Sequence, residues 1–149
     1  MLLYSGHEEE NASHTHGVAL MQSKEACNAF KGWESHGPRI IKASFETKRQ
    51  ESTMNVIQFY APTNNSNEDD RTQFNKSLRL IVAECTGNDL TILIGDLNAK
   101  VRMENTMRRH GLGERNENGE RFANIFALNR LDISGKIFPH KRIHKATWV

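Results

Sequence analysis

Leu90-Thr91-Ile92-Leu93-Ile94-Gly95-Asp96-Leu97-Asn98-Ala99 decides the fold class. An apolar run this short, stopped by a glycine, reads as a buried strand and not as a helix. A carboxylate and a carboxamide follow at Asp96 and Asn98, at the strand end where open sheets present catalytic side chains. Gly95 allows the backbone to turn sharply there. An Asp orients or deprotonates a water, an Asn donates to a phosphate oxygen, and phosphodiester hydrolysis needs both services. The same residues also suit an Asx-type turn after a core strand. The segment by itself leaves both readings open.

Upstream, Gly87-Asn88-Asp89 ends a helix. Phe74, Leu78, Ile81, Val82 and Cys85 fall at i, i+4, i+7, i+8 and i+11, which draws one apolar stripe. Ser66, with Asp69 three residues on, fits the helix N-cap. Before it, Met54 to Tyr60 is a strand apolar on both faces, stopped by Pro62 and the polar loop Asn64-Asn65-Ser66-Asn67. Tyr60 closes that strand. Its phenol reaches a phosphate or a sugar in one reading and is a buried tyrosine before a turn in the other.

Arg39 to Lys48 alternates, with Ile41, Ala43 and Phe45 on one side and Lys42, Ser44 and Glu46 on the other, as in a half-buried strand. Arg49-Gln50-Glu51-Ser52 turns it into an antiparallel hairpin with Met54 to Tyr60. Gly17 to Met21 is a further short strand. Ser23 caps a helical turn reaching Phe30, and the first 16 residues read as a loop. Downstream, a polar, basic loop runs from Lys100 to about Asn118 and holds Arg102, Arg108 and Arg109. This cluster suits a DNA backbone or a plain solvated surface. Phe122, Ile125 and Phe126 mark a short helix, and Leu131 to Phe138 and Ala146 to Val149 read as strands. Alternating β and α units with some antiparallel pairing predict a layered α/β sandwich.

The 149 residues suffice for one ordinary domain. A net charge of +2 neither requires nor excludes nucleic acid, because phosphate binding depends on a local patch. No apolar run reaches the roughly 18 residues of a membrane span, and the N-terminus lacks a signal-peptide layout. The two distant cysteines, Cys27 and Cys85, predict free thiols in a reducing compartment, nucleus or cytoplasm. His14 with His16 lacks a third ligand that would make a metal site, and His140 and His144, with Lys141, Arg142 and Lys145, form a basic run that suits a DNA-facing strand or a plain surface.

A strand ending Tyr60-Ala61-Pro62, an amphipathic helix and a strand ending Gly95-Asp96-Leu97-Asn98-Ala99 together resemble the exonuclease III and DNase I-like endonuclease/exonuclease/phosphatase superfamily. Gly32 to Ile41, His110 to Glu120 and Phe138 to Trp148 resemble its retroelement branch, the endonuclease domains of RTE-type LINE elements and host proteins derived from them. The resemblance spans nearly the whole chain. It implies a DNase I-like four-layer α/β/β/α sandwich, Mg²⁺ as cofactor, DNA as partner, a monomeric state and nicking of a target site by phosphodiester hydrolysis.

It also implies residue roles. Tyr60 matches the tyrosine that contacts the scissile phosphate, Asp96 the aspartate that handles the attacking water or the leaving group, and Asn98 the asparagine that steadies the phosphate. Asp96 is also the candidate metal ligand. Thr63 stands where many relatives carry a phosphate-contacting asparagine, with Asn64 beside it. Asn116 and Asn118 match asparagines near the DNA backbone. Relatives place a strand with a metal-binding glutamate before the part that Met1 begins, and a Ser-Asp-His motif beyond Val149. The resemblance therefore implies residues 1–149 as a partial domain, with Met1 internal, marginally folded and catalytically silent in isolation. The rival from another class is a non-catalytic retroelement remnant that binds DNA or a protein. A calcineurin-like phosphatase fits less well, because Asn98 stands where that chemistry wants a histidine.

Overall fold

The fold comes from a computed structural model, which describes residues 1–6, 17–48, 52–85, 87–98, 117–129 and 131. The chain divides into two compact units, Met1–Asn98 and Ala99–Val149.

In the first unit, β1 (Leu2–Gly6) and β2 (Gly17–Met21) form a two-stranded antiparallel sheet. The expected N-terminal loop is thus a strand over part of its length. Leu3 and Ser5 alternate inward and Leu2 and Tyr4 outward, a period-2 pattern too short to stand out among polar neighbours. Next come α1 (Lys24–Asn28), β3 (Phe30–Ser35), β4 (Ile40–Glu46), β5 (Thr53–Tyr60), α2 (Glu68–Glu84) and β6 (Leu90–Asp96). Ser23 caps α1 as expected, its Oγ accepting from the Ala26 N–H at 3.2 Å. Strand β3 is an addition to the sequence reading. Its side chains are largely exposed, so it carries little hydrophobic signal and is held by its ladder to β4.

A four-stranded sheet runs β3-β4-β5-β6, with β3, β4 and β5 antiparallel in succession and β6 parallel to β5. The expected β4–β5 hairpin is present. One face of this sheet contributes Ala43, Phe45 and Val56 to a core closed by Leu3, with Leu20, Ala26, Ala29, Phe30 and Met54 packed against it. The small sheet therefore lies over that face. On the opposite face Phe59 meets Phe74 of α2, with ring centroids 6.2 Å apart. Phe74, Leu78, Ile81 and Val82 are buried, at about 1.5–3 kcal/mol each.

Two details of α2 differ from expectation. Its N-cap is Asn67, whose side chain accepts from the Asp70 N–H at 2.9 Å, and not Ser66. Ser66 belongs to the preceding turn, its N–H bound to the Thr63 carbonyl. Cys85 is the C-cap and so lies just beyond the stripe. Strand β6 is only partly buried: Leu90 is 54% and Ile94 45% exposed. It is the outer strand of the described sheet, so the strand expected here is present but half-buried where a buried one was expected.

In the second unit α3 (Glu117–Leu128) has Phe122, Ala123, Ile125 and Phe126 buried, as its periodicity predicts. The expected strands at 131–138 and 146–149, the histidine pairs and the Arg102, Arg108 and Arg109 loop lie outside the described residues. The architecture is mixed α/β, with two sheets and three helices among the described residues. No helix among them is long and apolar enough to cross a membrane.

Candidate functional site

The parallel register of β5 and β6 runs from Met54↔Leu90 to Tyr60↔Asp96. Asp89 sets its start. The Asp89 carboxylate accepts from the Thr53 N–H at 2.9 Å and from Asn55 Nδ2 at 3.3 Å. Asn55 is 4% exposed, and its Oδ1 accepts from Ser44 Oγ at 2.9 Å. This buried polar chain spans β4, β5 and the entry to β6, and every link is satisfied. It fixes which residues face each other at the far end of the sheet.

At that far end Tyr60 and Asp96 are direct partners on adjacent strands. Partners in a ladder project to the same face, and neighbouring strands lie about 4.8 Å apart. The phenol and the carboxylate thus start side by side. Gly95 serves this geometry differently from the sharp turn expected of it. A Cβ built on Gly95 would run into the Phe59 carbonyl. The glycine is required by the close approach of β6 to β5, and Phe59↔Gly95 is the pair just before Tyr60↔Asp96.

The chain then closes an Asx turn. Asp96 Oδ1 accepts from the Asn98 N–H at 2.9 Å. Asn98 sits at φ 43°, in the left-handed region that asparagine tolerates better than most residues. Its Nδ2 donates to the Ala61 carbonyl at 2.7 Å, and the Ala61 N–H donates to the Asp96 carbonyl at 2.9 Å. Asn98 therefore ties the exit of β6 to the exit of β5. These bonds are those of the Asx turn expected after the strand. Among the described residues Asp96 Oδ2 and the Tyr60 hydroxyl have no hydrogen-bond partner.

A third group stands in the same row, one that sequence reasoning passed over. Arg39 precedes β4, and the Tyr60 N–H donates to its carbonyl at 3.0 Å. Its guanidinium carbon lies 5.7 Å from the Tyr60 ring centroid, and Nη1 donates to the Tyr60 carbonyl at 3.4 Å. Burial pulls the Arg39 pKa down, while the fields of Tyr60 and Asp70 push it back up. The signal available in sequence was its place: first residue of the alternating run, paired in the hairpin with the tyrosine.

Thr63 and Asn64 lie exposed on the turn after β5, with Thr63 Oγ1 3.2 Å from Ser66 Oγ. Asn118 lies in the second unit, in the first turn of α3, and is 2% exposed. Asn116 lies outside the described residues. No three His, Cys, Asp or Glu side chains among the described residues gather to hold a metal ion.

No protein-family model matches the chain. It is 35% identical over 137 residues to Craniofacial development protein 2 of Bos taurus, an alignment covering 89% of this chain and 22% of that protein. Against Craniofacial development protein 2 of Tragulus javanicus it is 34% identical over 137 residues, covering 89% of this chain and 23% of the relative. The chain thus spans less than a quarter of the length of the curated relatives it matches, and along most of its own length it is similar to one segment of Craniofacial development protein 2.

Proposed function

We propose that the chain is part of an exonuclease III/DNase I-like nuclease domain of the retroelement type, and that its Tyr60–Asp96 corner engages a DNA phosphate. The observation that carries this reading is the pairing of Tyr60 with Asp96 on adjacent parallel strands, with the phenol hydroxyl and one carboxylate oxygen uncommitted. The Tyr-Ala-Pro and Gly-Asp-x-Asn-Ala motifs, far apart in sequence, meet at one sheet end.

The chemistry follows from the atoms. The Tyr60 hydroxyl donates to a non-bridging phosphate oxygen. Asp96 Oδ2 accepts a hydrogen from water and orients its lone pair toward phosphorus, as a positioned general base does. Asn98 holds the corner closed through Ala61 and fixes where Asp96 points. Mg²⁺ supplies charge neutralisation in such reactions, but the described residues do not gather its ligands. A second reading for the chain by itself is DNA binding without cutting.

Two assays test the proposal. The chain should bind a labelled DNA duplex with an affinity that falls as salt rises. Tyr60→Phe should weaken binding several-fold, at about 0.5–1.5 kcal/mol for one hydrogen bond. Asp96→Asn should tighten it, because a carboxylate beside a phosphate repels. In a supercoiled-plasmid assay with Mg²⁺ the chain should leave the DNA closed. Absence of DNA affinity, or an Asp96→Asn variant that binds more weakly, would overturn the phosphate reading. Nicking abolished by Asp96→Ala would overturn the non-catalytic one.

A further inference from the structure

We propose that Arg39 is a phosphate-binding residue of this corner, supplying the cation of a three-residue row Arg39–Tyr60–Asp96 laid across three neighbouring strand ends. The inference rests on the phosphate reading and adds to it the group that balances the ligand's charge. Asp96 brings a negative charge toward an anionic ligand, and the Tyr60 hydroxyl is neutral. A corner made of these two alone would repel a phosphate as much as it grips it. The guanidinium over the Tyr60 ring resolves that conflict.

Three observations support the assignment. First, Arg39 is held by backbone and not by chance of a long side chain. Gly37 takes φ 76° in the turn before it, the His36 N–H donates to the Ile40 carbonyl at 2.9 Å, and the Gly37 carbonyl accepts from Ser5 Oγ at 2.7 Å. Second, the guanidinium is part-buried, with no carboxylate within 4.0 Å among the described residues. The Asp70 carboxylate acts on it as a field from beyond ion-pair distance, so the charge is not consumed in a salt bridge. Third, its donors are largely unspent. Of the five N–H groups on a guanidinium, one makes a long bond to the Tyr60 carbonyl. The guanidinium carbon lies 5.7 Å from the Tyr60 ring centroid, within cation–π range, and guanidinium forks bind phosphate oxygens two at a time.

The test uses the whole chain and a fluorescein-labelled DNA duplex in EDTA, with affinity followed across a salt series. Arg39→Ala and Arg39→Gln should each weaken binding about tenfold at low salt, the lower end for a charge-assisted hydrogen bond. The slope of log K against log salt should flatten by about 0.9, the loss of one phosphate contact. Arg39→Lys should restore the slope and part of the affinity, because it keeps the charge and loses the fork. A merely structural Arg39 would change the unfolding midpoint and leave the slope of the folded protein as it was. Wild-type binding with an unchanged slope in folded Arg39→Gln overturns this inference and leaves the phosphate corner standing. Absence of wild-type binding overturns both.

Discussion

Asp89→Ala should destabilise the first unit by about 2–4 kcal/mol, although Asp89 lies in a turn far from Tyr60 and Asp96. The magnitude comes from two bonds. The carboxylate accepts from the Thr53 N–H at 2.9 Å and from Asn55 Nδ2 at 3.3 Å. Hydrogen bonds to a charged group are worth about 1.5–3 kcal/mol each. Asp89 is half-buried, so solvent screening places the pair toward the low end. A further cost comes from Asn55, whose amide is left enclosed without its acceptor, since the residue is 4% exposed. Asp89→Asn keeps one acceptor oxygen and should lose about half as much. Urea unfolding followed by circular dichroism measures both, and the slope of free energy against urea should stay constant. Amide hydrogen exchange at Thr53 should speed up in Asp89→Ala. A midpoint shift worth less than about 0.5 kcal/mol would refute the idea that this carboxylate sets the β5–β6 register. The consequence for the site is direct. A one-residue slip moves every side chain of a strand to the other face, which would part Asp96 from Tyr60.

Leu78→Ala should cost about 2–5 kcal/mol, because Leu78 is fully buried on the α2 stripe and its removal leaves a cavity; an unchanged denaturation midpoint would mean the stripe is not core. Gly95→Ala should cost about 1–3 kcal/mol by pushing β6 off the Phe59 carbonyl, and a thermal scan with no loss of midpoint would show that the close approach is dispensable. Asn98→Gly suits the left-handed backbone yet loses the bond to Ala61, whereas Asn98→Ala loses both, so unfolding experiments should rank wild type above Gly above Ala. Equal stability of the Gly and Ala variants would show that the φ of 43° carries no strain.

Periodicity alone determined β4, β5, α2 and α3, since each carries enough apolar residues at a fixed spacing to fill one face. The pairing of β4 with β5 was legible for the same reason: adjacent runs joined by a short polar turn close locally. The motifs at Tyr60 and Asp96 were legible as strand ends, because Pro62 and Gly95 punctuate the chain beside them. Sequence left undecided what each motif does, since an Asx turn and a catalytic corner use the same residue types. Strands β1 and β3 were hidden, the first by its shortness and the second by its exposed side chains. The cap of α2 fell one residue later than read, because Ser66 and Asn67 are both good caps and the Thr63–Ser66 turn claimed the serine. Arg39 carried no motif to mark it. Tertiary structure alone decided that Tyr60 and Asp96 face each other, because parallel register depends on the Asp89–Asn55–Ser44 bonds and not on any local pattern. It alone put a guanidinium beside Tyr60, because residues 39, 60 and 96 come to one end of the sheet only when three strands end at one level.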